Sequence, residues 1–583
     1  MPRLDPHSYA DSDQPQTKSI ELSLEVDFVS RVLEGEVALR FHQPGTGPID
    51  LDTRGLRIDS VRSASGATLP FALSPPEPIL GSRLRIDLPP ATSGARIRYA
   101  TSPEASALQW LAPAQTADGA QPFLYSQCQP IHARSLLPLQ DTPRIRVTVK
   151  SARFTVPVRL RTLMAAAAKG REPAGEGRAT DVFEMPQPIP PYLLAFAVGD
   201  LVPRQLSPRS AVWSERAVAD AAAEEFAGVE RMIGAAERLF GPYEWDRFDI
   251  LVMPPSFPYG GMENPRLTFV TPSIIAGDKS LVNVLAHELA HAWTGNLVTN
   301  ASANDFWLNE GFTVYAERRI LEALEGREMA ELHAAVGAHD LAVALERFED
   351  QPQLTRLRND LAGVDPDQAY STVPYEKGFL LLRRLEELAG REAWDGFLRW
   401  YLEKFRFRSI VTQDFLEALE ARLPGLAARA GALRFIDEPG VPEDAPRPQS
   451  ARLRELQELA SRQKLPEQRL NPTELLVYLK SLPAPERDTV RALDGLFGLS
   501  ERRSLELRHS FVLLQLRAGM SEGIEGARRI ARETGRMKYL RPIFSELART
   551  GRETAQRIYR ESRHAYHPIA RAVIEGLVDD RLT

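Results

Sequence analysis

The run His287-Glu288-Leu289-Ala290-His291, with Glu310 nineteen positions after the second histidine, constrains this 583-residue chain more than any other stretch. On a helix, residues four apart share a face, so His287 and His291 can point at one cation. Two imidazoles and one carboxylate on Zn²⁺ leave its fourth position to water, as a catalytic site requires. Glu288 stands beside the first histidine, where it can take a proton from that water. At about 100° per residue, Val282, Leu285, Leu289 and Trp293 form an apolar stripe roughly opposite the histidines. One side of this helix therefore packs into a core and the other faces a cleft. The third ligand must come from a second helix, read over Trp307 to Tyr315, and the turn-rich runs Thr294-Gly295-Asn296 and Asn300 to Asn304 let the chain fold back. Glu317, two turns beyond Glu310, is either an outer acceptor for a ligand imidazole or a solvated helix residue. A bare HExxH also arises on helices without metal, and an acid such as Glu310 is favoured in any first helical turn. The combination carries the weight.

Composition fits a large globular chain: 43% hydrophobic and 26% charged residues support three or four domains with ample core. The net charge of −6 is too mild to imply nucleic acid or another polyanion. It is unevenly spread, since residues 451–583 carry 25 basic and 18 acidic side chains, a local +7 that leaves −13 in the first 450. The single cysteine, Cys128, excludes an intrachain disulfide framework. The opening MPRLDPHSYADSDQPQ lacks a secretory pattern, and no apolar run reaches the roughly 18 residues of a membrane span. The expectation is a cytoplasmic chain with no membrane partner, although a trimmed signal would leave the same sequence.

The fold class expected is α+β and multidomain. Residues 1–200 alternate apolar and polar positions in short runs such as Ile20 to Val26 and Arg144 to Val149, separated by turn clusters such as Pro44-Gly45-Thr46-Gly47-Pro48. That is a β-rich domain. Helical periodicity dominates 201–440, with a strand-like Phe248 to Val252; this is the catalytic domain. The proline- and charge-dense run from Asp437 to Pro448 marks a linker, placed at 441–451, and 452–583 reads as all helix, with a stripe of Leu507, Phe511, Leu514 and Ala518.

Two further runs flank the histidine motif: Tyr259-Gly260-Gly261-Met262-Glu263-Asn264-Pro265 and Asp367 to Gly378. With HELAH and Glu310 they resemble the M1 zinc aminopeptidases of gluzincin type. Ser126-Gln127-Cys128-Gln129, Leu139 to Pro143, Trp293 to Asn300 and Val373 to Gly378 narrow the resemblance to the branch holding leukotriene-A4 hydrolase and aminopeptidase B. It extends from near residue 20 to the C-terminus. The resemblance implies an N-terminal β-sandwich or saddle-like domain, a thermolysin-like zinc domain and a C-terminal superhelical domain. It implies one Zn²⁺ per chain on His287, His291 and Glu310, with Glu288 as general base. Tyr375 would donate to the oxyanion, and Glu263, seconded by Gln129, would hold the substrate's α-ammonium. Gly260 and Gly261 would let backbone approach the substrate, with Tyr259, Met262 and Tyr370 around it. Asp367 would lie near the first side chain and favour arginine there. Arg536 with Lys538, in Gly535 to Tyr539, would hold a short peptide's C-terminal carboxylate. Without the resemblance, Gly-Gly is a turn, Gln129 a strand residue, Tyr375 a packed aromatic and the basic run a solvated helix segment.

The expected activity is therefore zinc-dependent release of N-terminal residues from tri- and tetrapeptides with a basic or small first residue, by a monomer. Two alternatives stand beside it. One is hydrolysis of a lipid epoxide in the same site, since Gln129, Asp367, Tyr370, Arg536 and Lys538 would serve both activities. The resembled family usually places an aromatic where this chain has Ala301-Ser302-Ala303-Asn304, which weakens a shaped lipid pocket. The other is a non-catalytic peptide-binding protein on this fold, against which the full set of ligands, base and tyrosine argues.

Overall fold

The computed structural model describes residues 3, 5–483 and 486–579. Period-two patterning in the first 200 residues yields strands whose apolar face is buried: Ile20, Leu22, Leu24 and Val26 point inward from the strand Thr17–Asp27. That strand sits inside an eight-stranded sheet ordered Ala167–Pro173, Arg178–Ile189, Val147–Pro157, Thr17–Asp27, Val32–Thr53, Ser82–Ala100 and Arg57–Ser63, with Phe71–Leu73 also on Ser82–Ala100. Only the Thr17–Asp27 and Val147–Pro157 pair is parallel. One expectation fails here. The Pro44 to Pro48 cluster does not separate two strands but lies within Val32–Thr53, where the pairing shifts register twice. Both flanks of the cluster pair with the same partner, Ser82–Ala100, so the extra residues are taken up as bulges.

A second sheet, Leu108–Leu111, Phe123–Ser126, Phe196–Gly199 and Arg161–Met164, packs against the first; the rings of Phe154 and Phe196 meet at 4.6 Å. Its strand Phe123–Ser126 runs directly into Gln127-Cys128-Gln129. A third, mixed sheet contains Val202–Ser207, Ser210–Ser214, Asp249–Val252, Leu267–Val270 and, at its edge, Gly261–Met262. The strand expected near Phe248 is thus the middle of this sheet, and the Gly-Gly-Met run is its edge. One continuous apolar cluster extends from Ala10 to Ile436, so the β-rich part and the histidine-bearing part share a core.

Beyond Asp437 the residues 441–450 form neither helix nor strand. Lys377 pins the chain just before them: its buried Nζ donates to the carbonyls of Thr355 (2.9 Å) and Glu438 (2.7 Å). Helices follow, from Ala451–Ser461 to Pro568–Val578, around two separate apolar clusters. Leu507, Phe511 and Leu514 of the expected stripe are buried, and Leu332 of the preceding region joins one of these clusters. Among the described residues no helix is long and apolar enough to cross a membrane.

Candidate metal centre and its cleft

The helix Asn283–Ala290 carries His287 and Glu288, and His291 caps it in helical conformation. Leu285 and Leu289 are fully buried and Trp293 nearly so, which fixes the rotation of the helix and turns both histidines the other way. Glu310 lies in the first turn of the helix Trp307–Glu325. Three atoms converge: His287 Nε2 and His291 Nε2 are 3.2 Å apart, and Glu310 Oε2 is 3.4 and 3.5 Å from them. Tetrahedral Zn²⁺ with bonds near 2.0–2.1 Å requires ligand–ligand edges of about 3.3 Å. Glu310 Oε2 is also buried and receives no hydrogen bond. An uncompensated carboxylate oxygen facing two imidazole nitrogens is the donor set of a cation.

The outer hydrogen bonds fix the imidazoles for that role. His287 Nδ1 faces Glu317 Oε2 at 3.1 Å, and His291 Nδ1 faces the Thr294 carbonyl at 3.0 Å. Each Nδ1–H donates outward, so each Nε2 lone pair points to the centre. Glu317, left open between two readings, is therefore an outer acceptor. Burial drives the His291 pKa down to about 4, keeping it neutral. Burial also opposes charge on His287, but Glu310 and Glu317 outweigh it and raise its pKa. A metal competes with that proton, so affinity falls as pH drops.

The site is held together by close backbone contact. A Cβ on Gly311 would lie 2.8 Å from the Cα of Gly378, and one on Gly378 would lie 2.7 Å from the Cα of Gly311. The helices Trp307–Glu325 and Val373–Ala389 thus cross at two glycines, one beside Glu310 and the other three residues after Tyr375. Tyr375 lies over His287, ring centroids 6.0 Å apart, and its hydroxyl is 3.0 Å from that of Tyr370. Burial raises the Tyr375 pKa well above its ordinary value and that of Tyr370 to about 12. Both phenols stay protonated at neutral pH.

Glu288 and Glu263 are both buried carboxyls. Burial raises Glu288 well above the usual carboxylate range and Glu263 to about 7. Glu263 Oε1 accepts long hydrogen bonds from Gln129 (3.4 Å) and Asn309 (3.5 Å), and Asn296 holds its backbone carbonyl at 2.7 Å. The space beside the two glycines is taken by protein. A Cβ on Gly261 would fall 2.3 Å from Glu288 Oε1, and one on Gly260 would fall 2.5 Å from Arg536 Nη2. The glycines make room for the side chains of Glu288 and Arg536, a packing that the sequence did not reveal.

Thirteen of the fifteen residues singled out from the sequence line one cleft of about 1030 Å³, from Gln129 to Arg536 and Lys538. Met262 and Asp367 do not. Met262 is buried below, its sulfur accepting from Gln127 Nε2 at 3.1 Å. Asp367 lies in an adjoining pocket of about 940 Å³ that shares Gln129, Tyr259 and Tyr370 with the cleft, and its carboxylate is 2.9 Å from His132 Nε2.

Family models match the chain in three consecutive pieces: the peptidase M1 N-terminal domain over residues 6–193, the peptidase family M1 domain over 225–431 and the leukotriene A4 hydrolase C-terminal domain over 470–578. A leukotriene A-4 hydrolase of Xenopus laevis is 37% identical, with 98% of each chain covered. The chain belongs to peptidase family M1. A leucine aminopeptidase 2 of Aspergillus niger is 36% identical over the same share of both chains. The structure of yeast LTA4 hydrolase with bestatin superposes with a TM-score of 0.91 at 31% identity, covering 99% of this chain and 98% of that one. As an M1 enzyme the chain is a zinc metallo-aminopeptidase built from a β-rich N-terminal domain, a central catalytic domain and a helical C-terminal domain.

Several residues of this M1 site were not foreseen. Asn309 precedes Glu310 and is fully buried, a position where an amide needs a reason. Arg318 grips Glu376 at 2.7 and 2.8 Å next to Tyr375, and His132 holds Asp367. Nothing in the local sequence marks either pair, because each joins residues far apart in the chain.

Proposed function

We propose that this M1 enzyme, acting as a cytoplasmic monomer, removes single residues from the N-termini of short peptides. Tri- and tetrapeptides with a basic or small first residue are the favoured substrates. The observation that carries this is Glu263. It is a buried carboxylate in the cleft, 3% exposed, whose side-chain partners are two neutral amides. Burial without a cation is costly, and a substrate α-ammonium supplies the missing charge through a charge-assisted bond. A chain without a free amine gains nothing there, which restricts cleavage to the first peptide bond.

His287, His291 and Glu310 would hold the zinc ion, which when bound activates water as a nucleophile near neutral pH and polarises the scissile carbonyl. Glu288 takes the proton of the attacking water and returns it to the leaving amine. Tyr375, kept protonated by burial, donates to the oxyanion, and Tyr370 orients that hydroxyl. Arg536 receives the peptide's C-terminal carboxylate, with Lys538 beside it. Asp367 stands at the pocket for the first side chain and favours a basic one.

The test is hydrolysis of arginyl- and alanyl-p-nitroanilide with and without a chelator, followed by peptides of graded length. Turnover that survives metal removal, or internal cleavage, would overturn the proposal. A second reading, opening of a lipid epoxide, is favoured by the adjoining pocket, whose walls include Pro130, Ile131, Phe306, Leu357 and Leu361. Ala303 lines the same pocket beside Phe306. Diol formation from a lipid epoxide, inhibited by peptide, supports this reading; no diol removes it.

A further inference from the structure

Beyond Arg536 and Lys538 the cleft adjoins a side pocket of about 520 Å³, lined by both cations and by Glu506. Glu506 does not line the main cleft. It sits in the first turn of the helix Leu505–Arg517, its side chain 4% exposed, and its Oε2 is 2.9 Å from Lys538 Nζ. Lys538 remains 42% exposed, yet its ammonium is paired with this buried acid. Arg536 is held differently: its Nη1 donates to the hydroxyls of Tyr539 (3.1 Å) and Ser273 (3.3 Å), and its Nε is buried without a partner. The nearby Lys480 is matched by Asp340 at 2.6 Å. Burial pushes the Glu506 carboxyl up, but Lys538, Lys480 and Arg536 outweigh it and keep it ionised.

We propose that Glu506 sets specificity by withholding Lys538 from the substrate's carboxylate, leaving Arg536 as the one effective cation at that end of the cleft. This rests on the reading that Arg536 receives the peptide's C-terminal carboxylate. A carboxylate that approaches Lys538 must displace one already in place, buried and fixed on a helix. The exchange swaps one ion pair for another and gains little. Arg536 surrenders only neutral hydroxyl contacts and has donor capacity to spare. The enzyme therefore discriminates between a free peptide carboxylate and its amide through Arg536 alone, less sharply than two free cations would. Glu506 is a positioning residue, acting through Lys538.

The experiment uses the full-length zinc enzyme and a matched pair, trialanine and trialanine amide. Glu506→Gln keeps shape and a hydrogen-bond acceptor for Lys538 but removes the charge. The ratio of kcat/KM for trialanine over its amide then rises about fivefold, the scale of one half-exposed ion pair, and the change appears in KM. Adding Lys538→Met returns the ratio to the wild-type value, which a general packing effect would not do. An unchanged ratio in Glu506→Gln, while Arg536→Ala still lowers it, overturns the inference and leaves the carboxylate reading intact. A ratio untouched by Arg536→Ala overturns that earlier reading instead. Lys538→Met alone provides a check that does not depend on the Glu506 variant folding: a tenfold fall in the ratio would mean that Lys538 binds substrate despite Glu506, and would also overturn the inference.

Discussion

Replacing Gly261 with alanine should displace Glu288, the proposed general base, without touching the proposed metal ligands. The added Cβ would lie 2.3 Å from Glu288 Oε1, 2.4 Å from Cδ and 2.5 Å from Cγ, where ordinary contact begins at 3.4 Å. The clash runs along most of the Glu288 side chain, so a terminal rotation cannot relieve it. Glu288 is 6% exposed and has little free volume to enter. Its carboxylate must move by about 1 Å, and a misplacement of that size costs on the order of 100-fold in rate. The same change at Gly260 meets only the far end of Arg536, 2.5 Å from Nη2, which can swing away. Gly261→Ala therefore lowers kcat on alanyl-p-nitroanilide about 100-fold, with KM and bound zinc near wild type. Gly260→Ala leaves that kcat nearly intact and raises KM for free tripeptides. Steady-state kinetics, zinc by atomic absorption and a thermal melt measure all three quantities. A kcat within threefold of wild type for Gly261→Ala would refute the steric argument, and parallel loss of zinc would show that the helix moved rather than the base.

Glu288→Gln should retain zinc and lose turnover; loss of both in proportion would show that Glu288 is a ligand. Tyr375→Phe should reduce kcat on the order of 100- to 1000-fold with little change in KM, and a rise confined to KM would assign the hydroxyl to substrate binding. Glu317→Gln should weaken zinc about 10- to 100-fold by loosening His287, while activity returns at saturating zinc; unchanged affinity in a chelator titration would reject it. Lys377 offers a pH test. Its folded pKa is lowered to about 7 by burial, against an ordinary 10.5. Between those values the unfolded chain holds a proton that the folded chain lacks, so stability rises with pH, by up to about 1.4 kcal/mol per unit from this group. Lys377→Met should flatten the difference in urea midpoint between pH 7.5 and 9; an unchanged difference would place the titration elsewhere.

What could be read from the sequence was whatever is periodic or contiguous. The stripe of Leu285, Leu289 and Trp293 oriented the histidine helix because helical rotation follows from spacing alone. Alternation exposed the strand Thr17–Asp27 in the same way. The Pro44 to Pro48 run was misread because proline and glycine signal a turn locally, whereas here a shared partner strand carries the pairing across it. Glu317 was ambiguous because helical spacing places it on the right face but does not say which ring stands opposite. Glu506 was invisible: a single acid in a helical stretch acquires meaning only when another helix brings Lys538 within 2.9 Å. Gly260 and Gly261 stood out as positions without a side chain, but the sequence does not show that Arg536 and Glu288 pack against them.

The crossing of Gly311 and Gly378 has a consequence for redesign. The acid that would grip the metal and the phenol that would meet the oxyanion are carried by two rods locked main chain to main chain, with no rotamer between them to absorb an error. Their spacing is inherited from the scaffold and cannot be adjusted by repacking neighbours. Substituting either glycine would not tune activity by degrees; it would spread the rods and pull both halves of the chemistry out of step at once. Libraries aimed at new substrates should leave this crossing alone and vary the cleft ends, where Asp367, Arg536 and Glu506 can change without disturbing it.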